Sequence, residues 1–143
     1  MPRFVLLFHE CPPSYDRPSH WDLMLEAGEM LRTWALDRLP HDWSAAHSRT
    51  AASVPDCPAV VAENGVVAVQ LRDHRRNFLE FDGPLSANRG TVKRVAAGTY
   101  SIESESPDCW RIALNSDEIS GIVALTRSRS EDTKWTLESL PAR

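Results

Sequence analysis

His20-Trp21-Asp22 is the tripeptide of this 143-residue chain with the clearest chemical potential. In an extended strand, residues i and i+2 project from one face, so the imidazole and the carboxylate stand together while Trp21 anchors the other side. Such a pair offers two ligands at fixed separation, suited to Mn²⁺, Fe²⁺ or Zn²⁺. His9 ends an earlier apolar run, where it can meet the same face. Three N/O ligands without a thiolate leave open coordination positions, as a hydrolytic metal site requires. Cys11, two residues further on, reads as a small buried residue more than as a fourth ligand. The plainer alternatives are an exposed polar face on an edge strand for His20 and Asp22, and a hydrogen-bonded rim histidine for His9.

Arg72-Asp73-His74-Arg75-Arg76 is the second candidate. If Val66 to His74 is extended, Arg72 and His74 share a face and can address one anion. Arg offers a planar donor fork to phosphate, and His can give a proton near neutral pH. A solvated charged turn is the competing reading. Trp34, Trp110 and Trp135 read as core aromatics, and His41 and His47 as exposed groups in a polar connection. Phe78 can stack on a sugar or base, or simply pack.

The elements that must hold these groups are short. Phe4–His9 reads as a buried strand ending at Cys11-Pro12-Pro13. His20–Glu26 alternates, and Ala27-Gly28-Glu29 turns it into a hairpin with Met30–Leu36. Residues 40–58 form a polar connection with a helical turn after Asp42. Ala59–Ala62 and Val66–Leu71 read as strands around Glu63-Asn64-Gly65. Further strands are expected at Asn77–Phe81, Gly90–Val95, Gly98–Glu103, Trp110–Leu114, Gly121–Thr126 and Lys134–Leu137. Many short strands with frequent turn signals predict an all-β fold, a compact antiparallel barrel or sandwich with short connecting helices or turns, in one domain over 1–143.

Composition agrees with that class. The chain is 42% hydrophobic and 25% charged, ordinary for a globular domain. No apolar run approaches the roughly 20 residues of a membrane span. Phe4–Phe8 is too short for a signal peptide, so no membrane association and a cytoplasmic location are expected. Three separated cysteines without a CxxC pair support neither a disulfide framework nor a thiolate zinc site. The net charge of −4 argues against coating nucleic acid over the whole surface. Between Arg72 and Arg94, however, six Arg/Lys face three acids, so that segment carries +3 and the remainder −7, which suggests a local anion site.

Two stretches carry a resemblance. His20-Trp21-Asp22-Leu23-Met24-Leu25-Glu26 followed by Leu31-Arg32-Thr33-Trp34-Ala35-Leu36 resembles the H-Y-D-L-R-L-E…L-K-S-W-A-V stretch of the 3′-phosphoesterase domain of bacterial DNA ligase D, which also exists as stand-alone proteins. The resemblance continues in Asp73-His74, Phe81-Asp82-Gly83, Arg89-Gly90-Thr91-Val92 and Gly98-Thr99-Tyr100. It reaches Ile119-Ser120-Gly121, Leu125-Thr126-Arg127 and Trp135, covering nearly the whole chain in order. It implies a compact β-barrel and a Mn²⁺-dependent enzyme that removes a 3′-terminal ribonucleoside and then a 3′-phosphate from DNA or RNA–DNA strands. Other divalent transition metals remain open. Carried over by position, His9, His20 and Asp22 become metal ligands and His74 the group that contacts phosphate and assists the chemistry. Arg38 replaces a family lysine near the substrate, and Arg75, Arg76 and Phe78 join Arg72 as substrate contacts. The implied partners are nucleic-acid 3′ ends, with DNA ligase, polymerase or end-joining proteins, and the chain is expected to act as a monomer.

Three positions depart from the family pattern. Met24 stands where the family has an arginine, Phe78 where it has a tyrosine, and Arg72 where it is usually acidic. Arg72 is therefore expected to supply, from a neighbouring strand, the guanidinium missing at Met24, which would make it catalytic alongside His74. Phe4 already begins the first strand, so the N-terminal arm of the ligase-linked domains is expected to be missing. Two other functions fit the same residues: a metal-containing module that binds phosphorylated ends or a repair partner without turnover, and an esterase for a small soluble phosphate ester.

Overall fold

The first two apolar runs pair to form the hairpin on which the site is built. In the computed structural model, which describes residues 1–140, β1 (Arg3–Glu10) lies antiparallel to β2 (His20–Ala27). β2 turns into β3 (Met30–Leu36) through Gly28 and Glu29. Gly28 has φ +63° at the first loop position, where a tight hairpin turn demands a residue without Cβ. A 3₁₀ turn at His41–Trp43 and helix α1 (Ser44–Ala51) lead to β4 (Gly65–Arg75). The two-residue β5 (Gly83–Pro84), the long β6 (Thr91–Ser106), β7 (Cys109–Asn115), β8 (Ser120–Arg127) and β9 (Lys134–Leu140) follow.

Around the sheet the order is β1-β2-β3-β4-β9-β8-β7-β6, and β6 pairs back onto β1. All these pairings are antiparallel, so the eight strands close into a barrel and β5 adds a short extra pairing to β6. Closure leaves the eight barrel strands without an open edge. The expected all-β antiparallel barrel with short connecting helices is the observed fold. Among the described residues no helix is long and apolar enough to cross a membrane.

The barrel interior is aromatic. Trp34 meets Trp110 and Trp135 edge-on, with ring centroids 6.1 and 5.6 Å apart. The Arg32 guanidinium lies 4.5 Å from the Trp110 ring, a cation–π contact. Helix α1 packs against this interior through Trp21, whose indole Nε1–H donates to Thr50 Oγ1 at 3.0 Å. On β7 the alternation is plain: Trp110, Ile112 and Leu114 are buried, while Arg111 and Ala113 turn outward. β1 and β2 are different, because both of their faces are buried. Their second face carries a smaller core of Val5, Leu7, Met24, Leu31, Leu79 and Val92, roofed by residues from the 76–92 segment.

Three expected elements differ. Residues 59–62 form no strand, because both edges of β4 are already occupied by β3 and β9; Val61 N–H instead donates to Leu39 O at 3.0 Å. Residues 77–81 are not a strand either. Arg76–Leu79 is a 3₁₀ turn in which the Glu80 and Phe81 N–H groups both reach back to Asn77 O, and this inserts Leu79 into the second core. The two strands expected at 90–95 and 98–103 are one, β6, which leaves β1 and joins β7 without interruption.

Thr50 Oγ1 accepts from Trp21 and donates to Ala46 O at 3.0 Å, both in the buried interior. Thr50→Val keeps the shape and orphans the indole donor. It is expected to destabilise the fold by about 1–3 kcal/mol, read as a lower urea midpoint at unchanged m-value.

Candidate metal centre and anion groove

His9 ends the buried part of β1 and His20 opens β2, and the two are directly paired across the hairpin. Asp22 pairs with Leu7, two residues along, so all three side chains share the second face of the hairpin. They are 6%, 5% and 3% exposed, which is rare for such groups unless something satisfies their charge.

Each imidazole is held from behind by a backbone carbonyl. His9 Nε2 lies 2.6 Å from Arg89 O, and His20 Nδ1 lies 2.8 Å from Pro18 O. Carbonyls only accept, so those nitrogens carry the protons. The other nitrogen of each neutral ring then offers a lone pair, and both lone pairs face Asp22: His9 Nδ1 at 4.0 Å from Oδ2 and His20 Nε2 at 3.1 Å from Oδ1. Asp22 Oδ1 has no aligned hydrogen-bond donor. The two imidazoles thus flank the buried carboxylate, one at each oxygen, an arrangement that a positive charge beside it relieves. Carbonyl-anchored histidines are the usual supports of metal-ligating imidazoles.

The titration behaviour has the same origin. Burial disfavours the His20 imidazolium, but the contact and charge of Asp22, helped by Pro18 O, outweigh it and hold the pKa above its ordinary value. For His9 burial wins over the Arg89 carbonyl and Asp22, and its pKa is lowered. Cys11 belongs to this cluster, contrary to its expected role as a small packing residue. His9, Cys11 and His20 each place a ligand atom within 4.8 Å of the others, a group that could hold a metal ion. Burial, then the Asp22 charge, push the Cys11 thiol up to about 11.

The centre lies in a cavity of about 430 Å³. Arg17, Arg72, His74 and Arg89 line it, and Asp22 is the single acid among its described lining residues. Arg72, His74, Phe78 and Arg89 also border an adjoining hollow of about 690 Å³. Arg89 is fixed twice to Ser86, by Nε to its carbonyl at 2.9 Å and by Nη2 to its hydroxyl at 3.0 Å. The His74 Nδ1–H donates to Arg72 O at 2.8 Å, and the His74 ring meets Phe78 edge-on at 5.5 Å.

The expected site residues separate into groups. His9, His20, Asp22, Arg72, His74 and Phe78 come together around the cavity. Arg75 borders only the adjoining hollow. Arg76 lines neither; it pairs with Glu26 and pins the start of the covering segment. Arg38 is exposed just beyond β3 and outside both hollows. Arg72 does not share simple strand parity with His74, because a bulge in β4 lets Leu71 pair with Thr33 and His74 with Leu31. Nor is β4 next to β2: β3 lies between Met24 and Arg72, which meet only across the cavity. Arg17 and the Arg89 carbonyl were missed, and Cys11 was weighed as a ligand but ranked below a packing role. Arg89 stood in the basic stretch, but nothing local to the sequence shows a carbonyl 80 residues away seating His9.

No protein-family model matches the chain, and no curated protein matches it.

Gly90 has φ +93°, and a Cβ there would sit 2.0 Å from Glu10 O, a backbone atom that cannot step aside. Gly90→Ala is expected to displace the Arg89 carbonyl from His9 and weaken divalent-metal binding about 10–100-fold, measured by calorimetric titration.

Proposed function

We propose that this chain is a metal-dependent phosphoesterase acting on the 3′ ends of DNA or RNA–DNA strands, with His9, His20 and Asp22 as the ligands of a divalent cation, Mn²⁺ by preference. The observation that carries this reading is the buried Asp22 carboxylate at an arginine-lined cavity, its Oδ1 facing the carbonyl-anchored His20 and its Oδ2 the carbonyl-anchored His9. An all-N/O donor set suits Mn²⁺ and Fe²⁺ as well as Zn²⁺. The order of motifs that resembles the ligase-linked 3′-phosphoesterases supports the choice of a 3′ end over other phosphate esters.

A bound divalent cation supplies Lewis-acid polarisation of the phosphoryl oxygens and a more acidic water. The chain does the rest. Arg72 and Arg89 offer guanidinium donors to the remaining phosphoryl oxygens, and Arg89 arrives already oriented by Ser86. His74 commits Nδ1–H to Arg72 O, so proton exchange with the leaving oxygen falls to Nε2. Phe78 and Leu85 line the cavity with apolar surface beside the polar groups. Arg75 extends the positive charge into the adjoining hollow, where the strand upstream of the 3′ end would run. Met24 favours one other reading, an end-binding module without turnover, because it puts an apolar side chain in the cavity where the resembling family carries a charge.

Incubation with Mn²⁺ and a primer–template ending in a 3′-phosphate is expected to yield a 3′-OH end, and Asp22→Ala is expected to abolish it. Arg72→Ala is expected to slow release about 10²–10³-fold. Tight, metal-dependent binding of the end without release of phosphate would select the binding module instead. An Arg72→Ala protein that hydrolyses and binds at the parent level would refute the relocated guanidinium.

A further inference from the structure

The metal centre has one donor too many. His20 presents its Nε2 edge to Asp22 at 3.1 Å and its Nδ1 edge to Cys11 Sγ at 4.0 Å. Cys11 is set in place by its own backbone, whose N–H donates to Ser19 Oγ at 3.0 Å and ties together the two ends of the loop between β1 and β2. Its sulfur has only weak partners, His9 O at 3.7 Å besides His20. His9 and His20 therefore stand beside two further donors: with Cys11 they form a group that could hold a metal ion, the sulfur set, and Asp22, whose oxygens lie 4.0 and 3.1 Å from them, would close an oxygen set.

We propose that the centre is a two-way metal site: a thiophilic cation such as Zn²⁺ is taken by His9, Cys11 and His20, a hard cation such as Mn²⁺ by His9, His20 and Asp22, and the two exclude each other. This rests on the reading of the centre as a metal site and adds how it discriminates between metals. Thiolate selects softer ions, while N/O sets serve Mn²⁺.

The switch between sets is a tautomer change in His20. In the oxygen set Nδ1–H stays on Pro18 O and Nε2 ligates. In the sulfur set Nδ1 ligates, and the same ring proton moves to Nε2, 3.1 Å from Asp22 Oδ1, which a small turn of the carboxylate would align to accept it. Asp22 thus changes from ligand to the acceptor behind a ligand, the carboxylate–histidine–metal arrangement common in zinc centres. The proton balance is closed: the ring keeps its one proton, the Cys11 Sγ–H bond is replaced by a sulfur–metal bond, and that proton leaves to water. No electrons are transferred.

Co²⁺ titration of the intact protein tests this without any activity assay. The expected result is a near-ultraviolet thiolate-to-cobalt charge-transfer band that is lost in Cys11→Ser and Cys11→Ala and retained in Asp22→Asn. Mn²⁺ binding, followed by the paramagnetic resonance of the free ion, should show the reverse: intact in the two Cys11 variants and lost in Asp22→Asn. Cys57 also lies near a histidine, with Sγ 3.5 Å from His47 Nε2, so Cys57→Ser serves as the control and should keep the band. Co²⁺ binding without a charge-transfer band, or a band that survives both Cys11 variants or disappears in Cys57→Ser, overturns the sulfur set and leaves the proposed esterase standing. Failure of both ions to bind overturns both readings.

Discussion

A carboxylate buried between two histidines is the constraint on which this half of the molecule depends. Asp22 sits on a strand covered on both faces, and burying a lone anion there is strongly unfavourable unless a positive charge comes with it. A proton on His20 is one such charge, and that is why its pKa is raised despite burial. A divalent cation is the other. The remaining features follow from keeping those donors turned inward. Pro18 O and Arg89 O hold the rings from behind, and Gly90 brings the Arg89 segment against the end of β1, closer than any side chain would permit.

The barrel is built unevenly to serve that constraint. β7 and β9 bury one face each and show the regular alternation of a half-solvated sheet. β1 and β2 bury both faces and so need a second layer, which the 76–92 segment supplies through Leu79 and Val92. The same segment carries Arg89 to the cavity. Glu26 joins the layers: it accepts from Arg3 N–H at 2.9 Å and pairs with Arg76, while its carbonyl accepts from the Tyr100 hydroxyl at 2.6 Å. One residue at the end of β2 thus registers β1, β6 and the covering turn.

What was legible in the sequence was whatever depends on near neighbours. Period-two spacing placed His20 and Asp22 on one face, and seven strands, β1 to β4 and β7 to β9, were found within a few residues of their observed bounds. The barrel class was legible for the same reason, since turn signals are local. What failed depended on distant pairing. Residues 59–62 have strand composition but no free edge to join, and 77–81 fold into a turn because Leu79 fits a second core that no local pattern announces. Parity between Arg72 and His74 failed at a bulge. Cys11 was ranked as a small buried residue above a fourth ligand, because its nearness to His20 depends on the loop from Pro12 to Ser19 folding back.

Under the proposed function, the charge pattern of the cavity would link the cation to the substrate. Arg17, Arg72 and Arg89 attract a phosphate, but the floor they surround holds the Asp22 charge, which repels one. A cation on Asp22 and the histidines would reverse the sign of the floor without moving any arginine, so anion binding and metal binding would reinforce each other through a short-range field. Met24 fits this division. A guanidinium at its position would lie on the same strand face as Asp22, two residues along, and would supply part of that positive charge permanently. With methionine there, the floor would remain negative until a metal bound, and the guanidinium of Arg72, which lines the same cavity from β4 with β3 between it and the strand of Met24, would be left for a phosphate. Under the proposed function, engagement of a phosphorylated end would thereby be conditional on the metal, a coupling that an arginine at position 24 would weaken.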